Sequence, residues 1–594
     1  MHQPAKHDEV TMPADQPGLL APDTSGMNFY RADPALTDLL RIHLADALFR
    51  HIEPHLDRLG ALAGGHLDEC ARLADRHVPV LHQRDRFGRD AQWIEYHPAY
   101  RELERAAFGE FGIHAMSLRK GIMGWREPYP VVTKHAFTFL FNQAEFGLGC
   151  PINVTDGCAK LLSKFGSDEL KARYLDGLTQ TEMSKLTQGG QFMTEKEGGS
   201  DVGTLTTTAV PEGDHWRLTG EKWFCSNADA EIVMLLARPE GAEGGTRGVG
   251  LFLMPRRLDD GSPNHYRIVR LKDKLGTRSM ASGEIKLEGA IAYAVGKLDR
   301  GFVQMAEMVN SSRLSNGVKS TALMRRAYHD AMTVARNRVV FGSRIIDLPL
   351  ARRQLMKIML PTEQALSMSF LTADALDRGE AGSQEAAALL RILTRTLKFR
   401  ATRDARKVCG DALEMRGGIG YIEEFATSRL LRDAHLGSIW EGTGNIVAID
   451  ALKRAVGRHG ADSALAADLH ARLDDSPGVP QAWRDTLREL TDRAIGFARE
   501  VASRSDNEAE ARRATSLLYH VASAVSLAWE GGRIHEMRGD ARRILLSRLV
   551  IDHRVSPSDP FRLTENSAQR TITDHLLGER AVGMAEVGEL LAAA

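Results

Sequence analysis

The chain has 594 residues, of which 43% are hydrophobic and 26% charged, and its formal net charge is -1. That length exceeds what one hydrophobic core usually holds, so several domains are expected. The balanced charge excludes a global attraction to nucleic acid or to an anionic membrane and leaves only local patches to consider.

Residues 1–33 read as a disordered lead-in, polar and punctuated by Pro4, Pro13, Pro17 and Pro22, without a basic-then-apolar signal pattern. Over 34–188 apolar residues recur at helical spacing, as in Leu40, Leu44, Leu48 and Ile52, which predicts an N-terminal helical domain. The period then changes. Short apolar runs at 216–218, 232–237, 249–254 and 266–271 are separated by Gly, Pro, Asp and Asn, predicting a β domain over 189–297. Helical spacing resumes over 298–458. Val318, Ala322, Leu323, Ala327, Ala331 and Ala335 share one stripe, with Lys319, Arg325, Arg326 and Asp330 set off it. A last helical domain is predicted over 459–594. The fold class is therefore mainly α with a small central β domain, plus an extra C-terminal helical domain.

No apolar run reaches the roughly 18–20 residues needed to span a bilayer. The nearest, 514–529, is broken by Thr515, Ser516, His520, Ser523 and Ser526 and predicts a buried helix. Cys70, Cys150, Cys158, Cys225 and Cys409 are scattered and lack metal-ligand spacing, so no disulfide framework or metal site is expected and a reducing cytoplasm fits.

Three motifs carry chemistry. The first runs Met193-Thr194-Glu195-Lys196-Glu197-Gly198-Gly199-Ser200-Asp201-Val202. Its paired glycines allow a tight loop with N–H groups turned outward, able to hold a flat ring edge or a pyrophosphate, although such a sequence also suits an ordinary turn. The second, Glu221-Lys222-Trp223-Phe224-Cys225-Ser226-Asn227, places an aromatic pair and a hydroxyl near a strand end. Phe224 there suits a heteroaromatic ring, or simply the β core. The third joins Gly417-Gly418-Ile419-Gly420-Tyr421 to Ile439-Trp440-Glu441-Gly442-Thr443-Gly444-Asn445-Ile446. Trp440 can desolvate Glu441 and raise its pKa toward the range useful to a general base; a surface Glu in a glycine-rich turn is the bland alternative.

In this order, within an α–β–α frame, the three motifs resemble those of acyl-CoA dehydrogenases over 139–457, about half of the chain. The spellings Met193-Thr194-Glu195-Lys196, Leu271-Lys272-Asp273-Lys274-Leu275-Gly276 and Ile439-Trp440-Glu441-Gly442 are most similar to the AidB-like branch, as are the extra C-terminal helices. The resemblance implies an acyl-CoA dehydrogenase-like fold (helical, β-barrel, helical bundle), FAD as cofactor and an acyl-CoA thioester as substrate in fatty acid metabolism. It implies flavin contacts from Met193, Thr194, Gly199, Ser200, Phe224, Ser226, Trp440, Thr443 and Asn445. Arg338 and Phe341, with Glu414, Gly417 and Gly418, match residues that hold the ADP moiety of a neighbouring subunit's FAD, hence a homo-oligomer and by family precedent a tetramer. Ser200 and Arg313 match substrate contacts. Glu441 matches the base that takes the α-proton while the β-hydride leaves to the flavin; Ser312 fills the slot where a minority of relatives carry the base instead. Glu414 and Pro349 stand where many relatives have Gln, and Val340 replaces a hydroxyl-bearing residue, so some ADP contacts differ. A protein electron acceptor, and an oxidase that uses oxygen instead, are both compatible with this site.

The same branch carries a second expectation, DNA binding in an alkylation-stress response with weak dehydrogenase activity, and a third, sequestration of thioesters. DNA binding calls for a basic C-terminal domain. Residues 451–594 hold 20 Lys plus Arg against 21 Asp plus Glu. Arg512 and Arg513, and Arg542, Arg543, Arg548 and Arg554, cluster locally; pairing with acids on a helix face is the favoured account.

Overall fold

The computed structural model describes residues 21–557, 561 and 566–593. The predicted lead-in divides accordingly: 1–20 lie outside the described residues, whereas 21–33 are part of the fold. Phe29 is fully buried, Thr24 Oγ1 donates to Asp330 Oδ1 at 2.5 Å, and Arg416 donates to the Pro22 carbonyl at 3.1 Å. Buried aromatic surface at Phe29 and Tyr30 anchors this stretch despite its polar composition.

Asp33 opens α1 (Pro34–His43) by accepting from the Leu36 N–H, with Pro34 at the first helical position. α2 (Asp46–Gly64) and α3 (His66–Arg76) follow. An antiparallel hairpin, β1 (Val80–Arg84) and β2 (Asp90–Glu95), then interrupts the stretch predicted as helical. His82 and Trp93 are cross-strand partners stacked at 4.2 Å, a pair that shows only once the strands meet. α4 (Pro98–Glu104), α5 (Val131–Asn142), α6 (Gly149–Phe165) and α7 (Asp168–Leu178) complete the first block.

The β domain contains β3 (Gly189–Phe192), β4 (Thr208–Glu212), β5 (His215–Ser226), β6 (Ile232–Pro239), β7 (Gly250–Pro255), β8 (Tyr266–Leu271) and β9 (Ser282–Ala294). The pairings β5–β4–β6–β7–β9 return through β9–β5, closing a small barrel with β3 and β8 appended. Val233, Leu235 and Ala237 of β6 point into the barrel core, while Ile232, Met234 and Leu236 pack against α6 and the start of the third block. Burial on both faces explains why this strand reads as a continuous apolar run.

α8 (Gly301–Asn337) runs 37 residues. After the short hairpin β10 (Val339–Val340) and β11 (Ser343–Arg344) come α9 (Pro349–Glu380), α10 (Gln384–Met415), α11 (Ala426–Gly437) and α12 (Gly444–Ile449). Lys319, Arg325, Arg326 and Asp330, set off the apolar stripe in sequence, are all buried. Over 312–335 α8 is enclosed on every side, and Lys319, Arg325, Arg326 and Asp330 are ion-paired or stacked inside the protein.

The last block comprises α13 (Ala461–Asp474), α14 (Gln481–Ser503), α15 (Ala511–Arg538), α16 (Arg542–Val550), α17 (Ser567–Leu577) and α18 (Met584–Ala593). The run at 514–529 is the buried centre of α15, and among the described residues no helix is long and apolar enough to cross a membrane. α15 shares one apolar core with α9 and α10. The clustered arginines are mostly paired: Arg543 with Glu363 and Glu530, Arg542 with Asp540, Arg548 with Asp552 and Arg513 with Glu510. Arg543 is 5% exposed, so it presents no surface to a nucleic acid.

Candidate active site

Glu441 lies in the turn between α11 and α12. The Leu436 carbonyl accepts from the N–H groups of Ile439 and Trp440, ending α11, and the chain then adopts φ 57° at Glu441 and 94° at Gly442. A left-handed non-glycine residue costs about 1–3 kcal/mol and persists only where its surroundings fix it. Here two cations do so. Arg313 Nε donates to the Glu441 carbonyl at 3.2 Å, and Lys398 Nζ donates to the Gly442 carbonyl. Arg313 also pairs with Asp450 at 2.7 Å, and Arg395 meets the same oxygen at 2.8 Å. Burial works against charge on Asp450, but the Arg395 and Arg313 guanidiniums hold its pKa below the ordinary value. Arg313, expected at the substrate, thus directs its hydrogen bonds to the loop that carries Glu441.

Trp440 stacks on Phe146 with centroids 5.6 Å apart, and Lys319 Nζ lies 4.7 Å from its ring centre. This packing covers one side of Glu441, which is half-buried. Burial pushes the Glu441 carboxyl above its ordinary pKa, and Arg313, Lys398 and Lys319 restrain the rise. Burial raises the pKa of the Cys150 thiol, on which the Glu441 carboxyl and the Ser226 hydroxyl at the end of β5 both act.

The loop 193–202 is fixed from beneath. Glu195, 2% exposed, accepts from Lys222 Nζ at 2.5 Å, from Thr206 N at 2.6 Å and from the Thr207 hydroxyl at 2.5 Å. Its charge survives burial because Lys222 holds its pKa down. The Trp223 N–H donates to the Thr194 carbonyl at 2.9 Å, at an irregularity in the β5–β9 register between Lys222 and Cys225. That irregularity turns Phe224 outward to 59% exposure, so it is not barrel core. Gly199 and Ser200 are exposed and Met193 and Thr194 half-buried, leaving an open shelf of loop and aromatic ring.

Of the second expected set, Arg338 lies beside Gly417. Arg338 Nη1 donates to the Arg416 carbonyl at 3.5 Å; Gly417 takes φ 70°, and Gly418 has open space around it. Phe341 is fully exposed at the tip of the β10–β11 hairpin, and Glu414 is exposed at the end of α10. Thr443 is exposed, and Asn445 Oδ1 accepts from Arg512 of α15 at 3.2 Å. Sequence reasoning missed Lys319, Lys398, Arg395, Asp450 and the Glu195–Lys222 pair. Their only signal is a charged residue inside an otherwise buried helix or strand, as in Leu397-Lys398-Phe399.

Comparison with known proteins matches three family models along the chain. The adaptive response protein AidB N-terminal domain covers residues 20–184, the acyl-CoA dehydrogenase middle domain 190–290 and the acyl-CoA dehydrogenase C-terminal domain 299–457. The Escherichia coli protein AidB is 35% identical over 65% of this chain and 70% of its own length. Acyl-CoA dehydrogenase family member 11 of Caenorhabditis elegans is 29% identical over 90% of this chain and 88% of its own. The crystal structure of Caenorhabditis elegans ACDH-11 in complex with C11-CoA superposes with TM-score 0.83 at 27% identity, covering 96% of this chain and 98% of that one.

Proposed function

We propose, because the chain belongs to the acyl-CoA dehydrogenase family, that it desaturates an acyl-CoA thioester between its α and β carbons with Glu441 as the base. Membership makes the chain a flavin-dependent oxidoreductase with FAD as its cofactor. When bound, FAD supplies the acceptor for the β-hydride. The residues present fit it: exposed Phe224, the open shelf at Gly199 and Ser200, and the hydroxyl of Ser226 suit the ring, with Met193, Thr194, Trp440, Thr443 and Asn445 around it. Arg338, fully exposed Phe341, Glu414, Gly417 and Gly418 would serve the ADP half of a neighbouring subunit's FAD in a homotetramer. Phe341, Leu350 and Tyr421, each at least 80% exposed, are then covered by that neighbour.

One observation carries the reading: a desolvated carboxylate is held in left-handed backbone by two cations, and it acts on the same Cys150 thiol as the hydroxyl of Ser226. Glu441 takes the α-proton onto its carboxylate. The thioester oxygen, where enolate charge develops, receives the Glu441 N–H. Arg313 and Lys398 keep the carboxylate and that N–H in fixed relation, and Trp440 covers one side of Glu441. The worm protein's C11-CoA complex supports a thioester ligand for this fold. The electrons then leave to an acceptor protein. Among the described residues, Arg543 is internal and Arg542 and Arg548 are paired with acids, which speaks against the DNA-binding alternative.

Anaerobic titration of the FAD-loaded protein with thioesters of graded length tests the proposal. A thioester should bleach the flavin, and Glu441→Gln should slow bleaching by roughly 10²–10⁴ while retaining FAD. Unchanged bleaching in the variant removes Glu441 from the chemistry.

A further inference from the structure

The helical wall beside the catalytic loop is polar where a plain acyl chain calls for apolar lining. Gly149, Asn153 and Asp156 of α6 recur at spacings of four and three residues and so share one helix face. Lys134, His135 and Asn142 of α5 and Ser315 of α8 stand around the same point, and together with Ile113 and Ile152 they line a partly open cavity of about 10 Å³. The cavity is tied to the catalytic loop by two links. Lys319, which lies on the Trp440 ring, donates to the Gly149 carbonyl at 3.3 Å. Asn153 donates at 2.8 Å to the hydroxyl of Ser312, next to the Arg313 that grips Glu441.

The cavity is built to hold something polar. Lys134 pairs with Asp156 Oδ2 at 2.9 Å, both side chains almost fully buried. Three further atoms of its lining are buried without a partner: His135 Nδ1, Asn142 Oδ1 and Asp156 Oδ1. Buried polar atoms left unsatisfied are costly and uncommon, so a guest that bonds to them is expected. The volume is about that of one water or one hydroxyl group. Charge narrows the choice. Lys134 and Lys160 are balanced by Asp156 and Glu380, and burial keeps His135 neutral, so a carboxylate would have to recruit Lys319 away from the Gly149 carbonyl and the Trp440 ring. Two of the three open atoms are acceptors and require a donor.

We infer that the acyl chain this enzyme accepts carries a hydroxyl at its distal end, held by His135, Asn142 and Asp156. The inference rests on the assignment of Glu441 as base in acyl-CoA dehydrogenation. It is tested by anaerobic flavin bleaching of the FAD-loaded protein with butyryl-, pentanoyl- and hexanoyl-CoA, with their ω-hydroxy counterparts, and with glutaryl-CoA. At one chain length the hydroxylated thioester should bleach at least about tenfold more efficiently than its plain partner. That ratio should fall toward one in His135→Phe and in Asn142→Leu; because it compares two substrates on one protein, a loss of folded protein does not mimic it, and either variant alone suffices. A ratio near one at every length, with bleaching intact, overturns the inference and leaves the cavity to water, while dehydrogenation by Glu441 stands. Preference for glutaryl-CoA overturns it too. Bleaching by none of these thioesters, nor by undecanoyl-CoA, overturns the dehydrogenase reading, and this inference with it.

Discussion

Lys398, after Arg313, is one of the cations that restrain the burial-raised pKa of Glu441. Burial, with Arg313 nearby, lowers the Lys398 pKa from 10.5 to about 7, although Glu441 opposes the shift. The ammonium is therefore lost as pH rises through about 7, whereas Glu441, raised by burial, needs pH above its own pKa to act as a base. Lys398 lowers the Glu441 pKa by its charge, so Lys398→Met should move the acid limb of the flavin-reduction rate to higher pH. A pH profile of single-turnover bleaching checks this; an unmoved acid limb would mean that the Lys398 charge is not felt at the carboxylate. Gly442 loses its donor in the same variant, and the left-handed turn at Glu441 then depends on Arg313 alone.

At the scale of elements, loop 193–202 and strand β5 act as one unit because Glu195 and Lys222 join them inside the barrel. Both side chains are wholly buried, and breaking such a pair from one side typically costs about 3–5 kcal/mol. Lys222→Met should therefore lower the thermal midpoint and release FAD together, measured by melting and by flavin content; retained flavin in a destabilised variant would separate the loop from the cofactor. Neither partner was legible as structural in sequence, where Glu195 and Lys222 read as polar members of two separate motifs. What was legible follows a simple rule. Segments whose burial is one-sided and periodic, such as α2, showed themselves, and so did β6, whose two buried faces make one apolar run. The hairpin β1–β2 was missed because its strands are short and mostly exposed, and pairing rather than pattern defines them. α8 was read as amphipathic because sequence cannot tell a charge facing water from a charge facing a buried counter-ion. Glu441 was singled out as a candidate between Trp440 and Gly442 and assigned as base by resemblance, whereas the cations that hold its loop come from α8 and α10, far away in the chain.

For the whole molecule, the same ambiguity decides whether the C-terminal helices are an appendage. Glu363 of α9 bonds Arg325 of α8 at 2.7 Å and Arg543 of α16 at 2.7 Å; Arg325 also reaches Asp33 at the start of α1, and Arg543 reaches Glu530 of α15. One buried carboxylate thus ties the first, third and last blocks into a single body. Burial opposes its charge, yet the two guanidiniums hold its pKa at about 2, below the ordinary 4.5. A carboxylate with a depressed folded-state pKa contributes stability above its unfolded pKa and loses it as pH falls through the folded value. The contribution of Glu363 is therefore complete above about pH 4.5 and vanishes toward pH 2. Glu363→Gln should cost about 3–5 kcal/mol at neutral pH, because two buried guanidiniums each lose one of their two carboxylate partners. It should also flatten the decline of stability across that acid window. Denaturant melts of both proteins from neutral to acid pH measure the two effects together. If the variant instead loses little stability and still unfolds in one step, the blocks are joined by apolar contact at α15 rather than by this carboxylate.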